Sequence, residues 1–272
     1  MKHPSSVRRA SSESKELATR LVRRTLTWIT LALSTASVFP VPLHAQQARW
    51  SLSGSVGYAI LNLKQVDADN ASDVQGWNRL GIPVDLLGSV KQSGFLSARV
   101  TYRYTREFGF SLTAHDQSKE VKTSSEGADA TLSLTRGVGS TDVLLGITYY
   151  PSVQPYFLEW YLEVGLGALF GRGNANAHGT QTVKVSGMPT LAPLVETDAT
   201  YKKSKTAVAF SLGADARILR PFFIHLEGMY RFAPLGTLEG DIIRSGEHST
   251  QASITEFDYS GFLISAGIGI EF

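Results

Sequence analysis

The stretch "GEHSTQASITE" carries His248, Thr250 and Glu256 close together in the chain. A histidine, a hydroxyl and a carboxylate are the parts of a nucleophilic triad, in which the imidazole takes the hydroxyl proton and the acid orients the ring. Here the hydroxyl is a threonine, and the polar surroundings read first as a solvated loop. His225, Glu227 and Arg231 share one parity and could pass a proton, but they read first as a lumen ion-pair network. Glu159 and Glu163 would lie about 13 Å apart on one strand face at ~3.3 Å rise per residue, too far for a glycosidase pair. His115 and His178 show no metal-ligand spacing. "GLGALFG" has phosphate-loop glycines but no helix signal after it. With no cysteine, thiolate metal sites and disulfides are excluded. These residues assign no catalytic group, cofactor or metal, and a non-enzymatic role is expected.

What must position such side chains is strand. Period-two alternation, the sign of strands with unlike faces, recurs along the chain. Trp50, Leu52, Val56, Tyr58 and Ile60 oppose Ser51, Ser53, Ser55 and Gly57. Similar runs follow in "FLSARVTYRY", "FGFSLTAH", "DVLLGITYY", "YFLEWYLEVGLGALF", "AVAFSLGADARI", "FFIHLEGMYRF" and "SGFLISAGIGIEF". The expected fold is therefore all-β: an eight-stranded antiparallel up-and-down transmembrane β-barrel. Short turns at 105–107, 151–155 and 219–221 alternate with long polar segments at about 64–93, 116–140, 172–205 and 233–256, as in barrels with short periplasmic turns and long extracellular loops. "WNRLGIPVDLLGSV" could hide a short helix or extend the second strand. "ATLSLT" (130–135) would extend the fourth strand, with a bulge to reconcile its phase with residues 143–149. A ten-stranded barrel built from these segments is the alternative.

A soluble barrel would wet its less apolar face and place lysines there. Instead, lysines 64, 91, 119, 122, 184, 202, 203 and 205 fall in loops or at outer strand ends. The less apolar face is mostly Gly, Ser and Thr, which suits the narrow lumen of eight strands. The charges on it balance. Arg49, Arg99, Arg103, Arg217 and Arg231 face Glu159, Glu163, Asp215, Glu227 and Glu271, with His225 among them. Paired charges with further hydrogen bonds tolerate burial; isolated ones do not. Inward Leu61, Leu63, Leu144 and Leu263 are the expected apolar lumen residues, and Tyr102, Tyr104, Phe108, Tyr149, Tyr150, Phe222 and Phe272 the expected turn-side girdle, opposite Phe170, Tyr230 and Phe232.

Arg20, Arg23 and Arg24 precede the apolar "TLTWITLALSTASVFPVPLHA". That order predicts a signal peptide over 1–45, cleaved after Ala45, and a barrel domain over 46–272. Residues 46–272 carry 19 basic and 22 acidic side chains, a net −3, and no basic surface for nucleic acid.

The strands, the signal and the terminal "GIGIEF" resemble small outer-membrane β-barrels of Gram-negative bacteria, placed in the outer membrane after secretion to the periplasm. "VTYRYTREFGFSLTA", "WYLEVGLGALF" and "FDYSGFLISAGIGIEF" are similar to strands of outer-membrane protein W (OmpW)-like and related porin-type barrels. The resemblance implies that Phe272, Ile270 and Ile268 are the signal read by the barrel-assembly machinery, and that the barrel contacts lipid and lipopolysaccharide. It also implies a narrow channel or carrier for small apolar molecules. A structural or adhesive barrel acting through its loops is the alternative. A third reading is a lipid A-modifying enzyme, since barrel deacylases pair a His, a Ser and a Glu where this chain has His248, Thr250 and Glu256.

Overall fold

The computed structural model describes residues 49–272 except 128, 153–156 and 186–187; the signal segment and its cleavage site lie outside the described residues. The alternating runs become β1 (Arg49–Leu61), β2 (Gln92–Arg103), β3 (Phe108–Glu126), β4 (Ala130–Tyr149), β5 (Leu158–Val185), β6 (Met188–Leu219), β7 (Phe222–Phe232) and β10 (Gly261–Glu271). Neighbours in chain order pair antiparallel from β1 to β7. β10 pairs with β7 on one side and β1 on the other, and so shuts the ring. At the seam Phe272 N–H donates to the Trp50 carbonyl at 2.8 Å.

Two further strands, β8 (Pro234–Arg244) and β9 (Glu247–Asp258), form a hairpin outside this ring. β8 pairs with Thr197–Lys202 of β6. The sheet thus has ten strands and an eight-membered barrel. The extra pair comes from 234–258, which alternation counts as loop, and not from 77–90 or 130–135. The first long connection holds a helix, α1 (Lys64–Arg79), which begins thirteen residues before the apolar stretch expected to hide one. The segments 116–140 and 172–205 are no loops either. They are β3–β4 and β5–β6 running on as paired strand.

The two faces separate cleanly. Val56, Leu145, Val164, Leu166 and Ile268 share the outward face and are exposed, at 54–72%, while Ser53, Ser55, Ser111, Thr113 and Ser265 are buried. Exposed apolar side chains all round a closed ring form the lipid-facing band of a membrane barrel. Ring pairs edge it: Trp50–Tyr102 at 4.6 Å and Phe108–Tyr149 at 5.3 Å at the turn end, Tyr230–Phe262 at 4.9 Å at the other. Tyr150 is a correction. It turns inward, 5% exposed, with the Arg103 guanidinium 4.1 Å above its ring.

β4 needs no bulge. Its pairing with β3 and β5 runs without a register shift from Ala130 to Tyr149. Even positions face inward throughout, so Leu132 and Leu134 are buried like Leu144, while Thr131 and Ser133 are exposed. The apparent phase change is a change of solvent. Within the membrane the apolar residues point out to lipid; above it, with water outside, they point in. β5 shows the same switch from outward Leu166 and Phe170 to outward Arg172 and Asn174.

Val164→Arg, on the outward face near mid-band, is expected to cost about 2–4 kcal/mol, and inward Ser265→Thr clearly less. Denaturant midpoints in lipid vesicles check this, with heat-modifiable gel migration reporting barrel closure.

Candidate functional site

Glycine and small residues on the inward face leave a lumen that long charged side chains cross. Three tiers stack along it. At the turn end a chain of ion pairs runs Arg49–Glu271 (2.9 Å), Glu271–Arg217 (3.2 Å), Arg217–Glu159 (2.9 Å) and Glu159–Arg103 (2.9 Å). The crevice among them has a volume of about 30 Å³, enough for roughly one water.

The middle tier is the most enclosed. Arg99 of β2 reaches across to Glu163 of β5 and Glu227 of β7. Its guanidinium lies 4.4 Å from the Tyr161 ring centroid, and its Nε donates to Thr101 Oγ1 at 3.1 Å. Tyr161 donates its hydroxyl to Glu227 at 2.5 Å, and Thr148 donates to Glu163 at 2.8 Å. Arg99, Glu163 and Glu227 are each under a tenth exposed. Buried ions become tolerable with such dense hydrogen bonding. Gly213 makes the space, since a Cβ there would lie 2.1 Å from the Tyr161 ring. Beside this tier His225 Nδ1 is 2.7 Å from Asp215 and Nε2 is 3.9 Å from Glu227.

The upper tier joins Arg231 to Asp142, whose other oxygen is 2.6 Å from His115 Nδ1. Arg231 and Asp142 are fully buried. Between the middle and upper tiers the lumen is apolar. Along β7 the inward order is Glu227, Met229, Arg231, and along β4 it is Thr148, Gly146, Leu144, Asp142. Leu144, Leu169, Ala209, Met229, Leu263 and Phe95 pack there, all 5% exposed or less.

Nine of the eleven positions marked in the sequence take part in these ion pairs, and the other two, His225 and Asp215, face each other at 2.7 Å. Asp142 and His115 were missed. Both keep the inward parity of their strands, Asp142 with Leu144 and His115 with Thr113, but each sits one step beyond the apolar run used to phase it. Leu169, Met229 and Phe95 also line the lumen, so the four expected leucines are only part of the apolar plug.

Above the membrane, β4, β5, β6, β8 and β9 curve into a cup, and α1 forms its remaining wall. Three acids hold the helix. Asp67 accepts from Ser89 Oγ (2.7 Å) and the Val90 N–H (3.0 Å), Asp69 accepts from Thr255 Oγ1 (2.5 Å), and Asp73 pairs with Arg136. The cup encloses a cavity of about 460 Å³. At its foot Tyr259, between β9 and β10, donates to the Arg172 carbonyl at 2.7 Å. Burial pushes that hydroxyl well above its ordinary range, so it remains a donor. The structure does not bring His248, Thr250 and Glu256 together. All three lie along β9, His248 and Glu256 roughly 26 Å apart at ~3.3 Å per residue, and Thr250 bonds to Asp241 instead.

No family model matches the chain, and no curated protein matches it. Among solved structures it is similar to the attachment invasion locus protein Ail of Yersinia pestis (12% identity, 84% of this chain and 100% of that one, TM-score 0.42). It is also similar to a major outer membrane protein of Thermus thermophilus (10%, 84% and 100%, 0.47), and to the N-terminal barrel domain of Pseudomonas aeruginosa OprF (10%, 84% and 98%, 0.36). Likenesses this distant carry no argument about binding or catalysis, and none selects the OmpW-like family. The membrane-barrel assignment rests on the closed ring, the lipid-facing band and the alternation of short turns with long extensions.

Arg99→Met is expected to destabilise the barrel by about 3–5 kcal/mol, because it strands Glu163 and Glu227 as unpaired buried carboxylates. Adding Glu163→Gln and Glu227→Gln should recover most of the loss. Equal stability of the single and triple variants in a denaturant titration would refute the coupling.

Proposed function

We propose that this chain is an outer-membrane β-barrel of a Gram-negative bacterium that acts by binding at the cell surface, without catalysis and without conducting solutes through its lumen. The observation that carries the reading is the filled lumen. Three ion-paired tiers and an apolar plug occupy the cross-section, contributed from opposite sides of the ring. Side chains that would have lined a pore seal it instead. The longest strands reach far outside the membrane, where β5 and β6 extend to 28 and 32 residues, well beyond the ~9–11 residues a tilted strand needs to cross. This favours the structural or adhesive reading over the channel or carrier for small apolar molecules.

Exposed Ile268 and Phe272, at 72% and 67%, with Ile270 between them, offer lipid-facing positions to the barrel-assembly machinery in the same reading. The apolar band would meet lipid, and the outward Arg172 and Lys202, register partners just above it, would face lipopolysaccharide.

Planar-bilayer recordings of the purified barrel are expected to show no steady conductance step; a reproducible open level would overturn the closed-lumen reading. On intact cells, a membrane-impermeant amine reagent should modify Lys122 and Lys202. Modification only after the outer membrane is permeabilised would invert the assigned orientation.

A further inference from the structure

The extracellular cup has the features of a small-molecule site. Its volume of about 460 Å³ falls in the range of ligand pockets, which are concave, mostly apolar and carry a few placed polar groups. The apolar lining comes from both partners: Trp77 and Val66 on α1, Val195 and Ala199 on β6, Phe257 on β9. Such a surface facing water above a membrane is costly to leave unfilled.

Its polar groups are unevenly satisfied. The acids on the helix are engaged, Asp69 with Thr255 and Asp73 with Arg136. The donors are not. Asn70 of α1 lines the cavity, is 4% exposed, and its Nδ2 has no hydrogen-bond partner among the described residues. A buried amide left without an acceptor costs about 1–3 kcal/mol, and such groups in a folded protein call for an explanation. Arg244, at the end of β8, lines the same cavity and makes no ion pair among the described residues. Unmatched donors over apolar walls call for an occupant with acceptor oxygens on an apolar body.

We propose that this cup binds a small amphiphilic anion: a compact apolar or aromatic body with a single carboxylate-like head. Asn70 Nδ2, closed off from solvent, donates to the head once the side chain turns into the cavity, and the Arg244 guanidinium sets the preference for negative charge at its rim. The bound molecule stays on the extracellular side, since the apolar plug and the Arg231–Asp142 pair close the lumen below. The inference rests on the reading that the protein binds and does not conduct.

The test uses the full processed barrel in lipid nanodiscs with 2-naphthoate as probe, followed by saturation-transfer NMR and corrected against empty nanodiscs. Saturable binding is expected, with the cationic naphthalen-2-ylmethylammonium at least about tenfold weaker. Asn70→Leu, which keeps the volume and removes the donor, should weaken 2-naphthoate by about tenfold or more. Ala199→Phe, which fills the cavity and removes no polar group, should abolish binding. Both variants should retain heat-modifiable migration. Absence of saturable binding, equal affinity for the cationic probe, or indifference to both substitutions would overturn the proposal. Conductance measured on the same preparation separates the two readings. A steady open level would defeat the closed-lumen reading, whereas electrical silence with no naphthoate binding would defeat only the assignment of the cup.

Discussion

Hydrocarbon offers a peptide group no hydrogen-bond partner, so a sheet immersed in it must pair both edges of every strand. In this chain the constraint is met by β10, which bonds to β7 on one side and β1 on the other. Much else follows from closing at eight strands. A ring that small has an interior only as wide as its own side chains. Inward positions must then be small, or long and mutually satisfied. The inward face shows both kinds, with Gly146, Gly165, Gly213 and Ser265 beside Arg99, Glu163, Tyr161 and Glu227.

The middle tier shows how such a lumen tolerates charge. One guanidinium serves two carboxylates, and each carboxylate takes a second hydrogen bond from a neutral hydroxyl, Thr148 for Glu163 and Tyr161 for Glu227. Desolvation is thereby shared across β2, β4, β5 and β7. The same bonds tie strands that are not neighbours in the ring, so the tier braces the cylinder across its width. A hydrophobic filling could have sealed the barrel as well, and does so immediately above, around Leu144 and Met229. The ionic tier differs in specifying partners, which makes a strand inserted out of register an electrostatic error.

The barrel was legible because its periodicity depends on one local rule, that alternate residues meet alternate media. That rule placed all eight ring strands and eleven of the charged or titratable positions of the tiers, but not Asp142 or His115. It failed wherever the medium changed. Thr131 and Ser133 face outward beside inward Leu132 and Leu134, which looks like a slipped phase when the outside is assumed to be lipid. The 234–258 hairpin escaped notice because its edges are polar and its pairing partner, β6 at Thr197–Lys202, lies some forty residues away in sequence. Helix α1 escaped because its stability comes from Asp67, Asp69 and Asp73 binding remote segments, contacts that no spacing within "KQVDADNASDVQGWNR" announces. Asn70 could not be singled out at all, since a missing partner exists only once the fold does.

The exchange of faces along β4 and β5 fixes a waterline on the molecule. Below it, outward Leu166 and Phe170 resist rising into water; above it, outward Arg172 and Asn174 resist sinking into oil. Because the strands cross that line without a break in pairing, the protein cannot adjust its depth by bending at the interface. Its vertical position is set to within about a residue's rise, and a bilayer of different thickness must deform to meet the barrel.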